Sequence, residues 1–89
     1  MNNQTVAQHL TRYARQLERE SGNLYRARAY RQAALVMLGL GQPVERLVTE
    51  RGRAGLRELP GIGAHLAETI EILVRTGEFC PVTSERRSA

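Results

Sequence analysis

A chain of 89 residues with 13 basic and 9 acidic side chains carries a net charge of +4. That length makes one domain burying about 60–65% of its unfolded surface, with no room for a deep substrate cavity. All the basic residues are Arg and all the acidic ones Glu, so no side chain can carry Schiff-base chemistry, which needs a lysine amine, and only the terminal amine could attempt it. The lone Cys80 and the lack of any apolar run near 20 residues argue against a disulfide, a multi-cysteine zinc site and a membrane span. The opening Met1-Asn2-Asn3-Gln4 has no signal-peptide character, and a cytoplasmic, monomeric protein is expected.

Apolar residues at Val6, Leu10, Tyr13, Ala14 and Leu17 recur at helical spacing, with Gln8, Arg12, Arg15 and Arg19 on the other faces. Asn2 or Asn3 can cap this first helix over about residues 3–20, and Gly22 can close it in a left-handed conformation. Asn23 then caps a second helix from Leu24 to about Leu38. Tyr25, Ala29, Ala33, Val36, Met37 and Leu40 form its predicted buried arc, widened by Ala27, Tyr30 and Ala34, with Arg28, Arg31 and Gln32 opposite. Gly39-Leu40-Gly41-Gln42 ends it. Pro43 is expected at the first position of a third helix, whose stripe is Val44, Leu47 and Val48 and which stops near Gly52. A short helix from about Arg53 to Glu58 leads into Leu59-Pro60-Gly61-Ile62-Gly63. The last helix starts at Gly63 or Ala64, buries Leu66, Ala67, Ile70, Leu73 and Val74, and ends at Thr76-Gly77. Residues 80–89 read as a flexible polar tail. The expected fold is all-α: a compact bundle of four to five short helices, residues 1–79, ending in a helical hairpin over 53–76.

The hairpin turn has the makings of an anion site. Pro60 stops the preceding helix, and Gly61 and Gly63 permit positive φ and place no Cβ between backbone and ligand. Ile62 is expected to point inward, while the unpaired N–H groups of the following helix converge on the turn. Such a site accepts a DNA phosphate without reading a base. Charge points the same way but to a different segment. Residues 1–31 hold six Arg against Glu18 and Glu20, a surplus of four, while the remainder sums to zero.

Leu59-Pro60-Gly61-Ile62-Gly63, followed by the periodicity of Ala64, Leu66, Ala67 and Ile70, is the helix-hairpin-helix signature. With Asn3-Gln4-Thr5-Val6-Ala7 and the run from Ser21 through Ala34, the chain over residues 3–79 resembles the amino-terminal eight-kilodalton domain of the family X, polymerase beta-like DNA polymerases. The bacterial branch looks most similar. The resemblance implies non-sequence-specific binding to the DNA backbone and to 5′-phosphate ends at gaps, in DNA repair or related processing near the nucleoid, alongside a repair or replication protein. By position it puts the 5′-phosphate pocket at Tyr25, Arg26, Tyr30, Arg57 and His65. It also places a monovalent cation (Na+ or K+) on the backbone carbonyls of Arg57, Leu59 and Ile62. The lyase nucleophile of the animal enzymes falls on Thr69, and the chain ends at Ala89 where the polymerase palm would follow, so binding without catalysis is expected.

Plainer roles stand beside these. His65 reads either as solvated surface or as a phosphate contact, and Tyr30 either as a packing residue or as a ligand. Arg12, Arg15 and Arg19 read as a solvated face, and His9 and His65 do not read as a metal pair. The segment from Gly52 to Gly77 balances Arg53, Arg57 and Arg75 against Glu58, Glu68 and Glu71, so weak DNA affinity is expected. The alternative is a protein-interaction adaptor derived from a DNA-binding fold, with Ile72 and Phe79 at the centre of an exposed apolar patch.

Overall fold

A computed structural model describes residues 1–81 as four helices: α1 (Asn3–Glu20), α2 (Leu24–Gly39), α3 (Val44–Arg57) and α4 (Ala64–Thr76). No strand occurs among the described residues. Of the expected polar tail, residues 82–89 lie outside the described residues; Cys80 is exposed.

Each helix start has a local cause. The Asn2 side chain accepts from the Thr5 N–H at 2.7 Å and Asn23 accepts from Arg26 at 3.1 Å, the expected caps for α1 and α2. Pro43 is the N-cap of α3 rather than its first helical residue, because its ψ of 134° is extended. Proline has no side chain to cap with, and the vacancy is filled from 41 residues away: Asn3 Oδ1 accepts from the Val44 N–H at 2.7 Å. The Asn3 amide also donates to the Gln42 carbonyl, and the amino terminus pairs with Glu45. The start of α1 is thereby fastened to the start of α3. Gly22 and Gly77 take the expected left-handed conformation after α1 and α4.

The third and fourth predicted helices follow one another within α3 as two helical runs. Gly52 (φ 61°, ψ −149°) is non-helical and separates them at a kink, as expected, and the second run starts at Arg53. That bend brings Arg53 onto α4, where it pairs with Glu71 at 2.9 Å and Glu68 at 3.8 Å. These contacts make α3 and α4 antiparallel. Helices α1 and α2 form a second antiparallel pair, joined by two bonds from Arg31 to Glu18 at 2.7 and 3.1 Å. One core seals the pairs together, with Leu10, Met37, Leu56, Ile70 and Leu73 fully buried.

The phase of α2 differs from the one read from sequence. Its buried residues are Ala27, Tyr30, Ala33, Ala34 and Met37, whereas Tyr25 is 86% exposed and Leu24, Leu35 and Leu38 are also exposed. Apolar residues occur on every side of this helix, so spacing cannot choose the buried one. Helix α1, apolar on one side only, buries Val6, Leu10, Ala14 and Leu17 as expected, while Tyr13 is half-buried.

Candidate nucleic-acid interface

The hairpin is built by a tight turn. The Ile62 N–H donates to the Leu59 carbonyl at 3.2 Å, and Gly61 sits at φ 79°. Proline in the second position and a left-handed glycine in the third make this a type II turn. Ile62 is 4% exposed and anchors the turn in the core. Gly63 departs from expectation: its φ of −88° is one that any residue adopts, and nothing lies within 4 Å of where its Cβ would stand. Neither conformation nor packing calls for glycine there, and the missing Cβ leaves the backbone open to approach from outside. Gly63 is also the N-cap of α4 and offers no side-chain hydrogen bond, so the first N–H groups of that helix are uncapped.

A groove of about 490 Å³ runs beside the turn, lined by Leu24, Tyr25, Arg28, Ala29, Gln32 and Gly61. The start of α2 and the hairpin thus share one surface. Tyr25 lies there, on solvent rather than in the core. Arg28 is the residue that sequence reasoning missed. Its polar arc on α2 was legible, but its position beside Gly61 depends on how α2 packs.

Three other residues of the expected pocket form a chain behind this groove. Arg26 lies with its guanidinium 5.8 Å from the Tyr30 ring centre and 6.0 Å from that of Tyr13, within cation–π range. Tyr30 is 3% exposed. Burial pushes its phenol above the ordinary value, while Arg26 and hydrogen bonds with Thr69 and Arg26 pull the other way. Thr69 Oγ1 in turn gives its proton to the His65 carbonyl at 2.9 Å. The relay runs from Arg26 through Tyr30 and Thr69 to the backbone at His65, whose side chain is exposed on the first turn of α4. Thr69→Val removes the hydrogen bond that Thr69 shares with the buried Tyr30 hydroxyl and is expected to cost about 1–3 kcal/mol. Adding Tyr30→Phe should recover part of that loss in urea unfolding. A single-variant cost under about 0.5 kcal/mol would mean that the bond contributes nothing.

The neutral hairpin segment is not neutral where it matters. Glu58 is held by Arg51 at 2.5 Å, while Glu68 and Glu71 face Arg53, with Arg75 on Glu71 at 3.2 Å. The hydrogen bond from Arg53, then that from Arg75, holds the Glu71 carboxyl below the usual carboxylate range against the opposing effect of burial. These pairs use up all three acidic groups of the segment. Arg57, at the end of α3, and Arg28, in the groove, have no ion pair among the described residues. Of these two, Arg28 lines the groove with Gly61, and Arg57 precedes the turn by two residues in the chain. No group of three or more His, Cys, Asp or Glu side chains fit to hold a metal ion occurs among the described residues, so His9 and His65 are not drawn together with other ligands.

A family model described as a helix-hairpin-helix domain matches residues 1–79. The chain belongs to the helix-hairpin-helix domain family. Comparison with curated proteins finds no match. Helix-hairpin-helix domains generally bind DNA without sequence preference. Among the described residues Ile72 and Phe79 are not exposed enough to centre the expected apolar patch. Ile72 is half-buried, and the Phe79 ring stacks on His9 at 5.7 Å and meets Tyr13 edge-on at 5.5 Å.

Proposed function

We propose that this helix-hairpin-helix domain binds DNA through its backbone and prefers 5′-phosphate ends at gaps, acting as a monomeric, non-catalytic module in cytoplasmic DNA repair or related processing. The observation that carries the reading is the pairing of glutamates along α3 and α4, which leaves Arg57 and Arg28 beside an uncapped glycine turn. Gly61, Ile62 and Gly63 supply the backbone of the phosphate seat, with Arg57 and His65 at its rim. Arg26, Tyr30 and Tyr25, on the adjoining end of α2, are the residues that the polymerase beta-like resemblance assigns to the 5′-phosphate. Phosphate contacts of this kind position DNA without reading its bases.

The carbonyls of Arg57, Leu59 and Ile62 suit a monovalent cation. Among the described residues no backbone N–H donates to the first or the last, and the Leu59 carbonyl keeps a lone pair beyond its bond to Ile62. A Na+ or K+ ion held there supplies a positive bridge to a phosphate oxygen. Catalysis is not proposed, since no lysine amine exists and the lyase position is the buried Thr69, whose proton is committed to the His65 carbonyl.

Gapped duplex with and without a 5′-phosphate, titrated at several salt concentrations, tests the reading. With two to four phosphates contacted, the log–log slope should lie near −2 to −4. Arg26→Ala should weaken the phosphorylated gap more than plain duplex. Equal losses on both would make Arg26 a general charge, and a clear consensus sequence in a binding selection would refute backbone recognition.

A further inference from the structure

We infer that the α1–α2 groove at Leu38 is a docking site for an acidic amphipathic helix of a partner protein, separate from the hairpin surface. Two independent observations meet there. The first is unburied apolar surface: Leu35 is 63% exposed and Leu38 56% exposed, three residues apart on the outer side of α2. Residues at that spacing are neighbours on a helix surface. The second is a groove of about 320 Å³ beside Leu38, with Ala7 and Thr11 among its lining residues and Arg12 and Arg15 at its edge.

Charge complementarity selects the occupant. Arg12 and Arg15 have no ion pair among the described residues. Arg15 does act on Glu18, but that carboxylate is already claimed by two bonds from Arg31. Leucines flanked by surplus guanidinium groups match a helix that presents leucines in a setting of glutamates, the helix-in-groove mode of recognition. A second copy of this chain fits worse, because a two-fold contact would set Arg12 and Arg15 against the same residues. DNA also fits worse, because phosphates gain nothing from exposed Leu35 and Leu38. The groove shares no lining residue with the one beside Gly61, so both surfaces can be filled at once, and the domain can hold a partner on DNA.

A probe peptide of about 15 residues, near the shortest that holds a helix alone, with leucines at i, i+4 and i+7 among glutamates, tests this on the full chain. Amide shifts should move at Ala7, Thr11, Arg12, Arg15, Leu35 and Leu38. Leu38→Ser and Arg15→Glu should each weaken the peptide by about tenfold, and Leu38→Ser, which changes no charge, should leave affinity for plain duplex unchanged. Peptides with serine for leucine, or lysine for glutamate, should not bind. The inference falls if the serine peptide binds as well as the leucine one, or if the shifts gather at Gly61 and Arg57. It falls equally if no shift appears at millimolar peptide, if duplex DNA moves the same α1–α2 residues, or if the chain forms a dimer that Leu38→Ser dissolves.

Discussion

Gly63→Ser is expected to make the domain more stable and a worse DNA binder at the same time. The position is the N-cap of α4, its backbone is extended, and a Cβ there meets nothing within 4 Å. Serine therefore fits, and its hydroxyl can accept from an N–H two or three residues on. Serine in place of glycine at an N-cap gains a few tenths of a kcal/mol. The same hydroxyl takes one of the N–H groups that a phosphate would use, and its Cβ stands between the backbone and the ligand. Losing one charge-assisted hydrogen bond, at roughly 1.5–3 kcal/mol, lowers affinity by about 10- to 150-fold. Thermal unfolding and fluorescence anisotropy on the same sample read both effects. Affinity unchanged in a stable Gly63→Ser protein would show that no phosphate approaches the turn. Gly61 is a poorer probe, because its φ of 79° strains any replacement and mixes folding with binding.

Ile62→Ala is expected to be among the most damaging single changes to stability. Ile62 is 4% exposed and is the side chain by which the turn enters the core. Truncating a buried isoleucine costs about 2–5 kcal/mol, the upper part of that range applying where neighbours cannot collapse into the space. A domain of this length has a total stability of only about 4–13 kcal/mol. Urea unfolding should therefore show a midpoint shifted far down with an unchanged slope. DNA affinity measured where the variant is still folded should fall as well, because the amides proposed as the phosphate seat flank this buried side chain. A cost below about 1 kcal/mol would mean that the turn is held by its backbone bonds alone.

The sequence by itself determined most of the secondary structure and the location of the turn. Helix α1 was legible because its apolar residues occupy one side, and α4 because Gly77 ends it and Leu66, Ala67, Ile70 and Leu73 repeat at helical spacing. The turn was legible because proline followed by two glycines has few other uses. Three things waited for the tertiary structure. The two helical runs of residues 44–57 were legible, but the direction the second takes after Gly52, at φ 61°, is set by packing against α4. The phase of α2 could not be read from a helix that is apolar on every side; contact with α1 buried Ala27, Ala34 and Met37 and left Tyr25, Leu35 and Leu38 in solvent. The charge at the hairpin also depended on the fold. A sum of charges along the chain treats every side chain alike, whereas in space Arg51, Arg53 and Arg75 neutralise Glu58, Glu68 and Glu71 and leave Arg57 and Arg28 beside the turn. Salt screens exposed charges beyond about 8–10 Å, so the charge at the hairpin is set by which side chains the fold brings together.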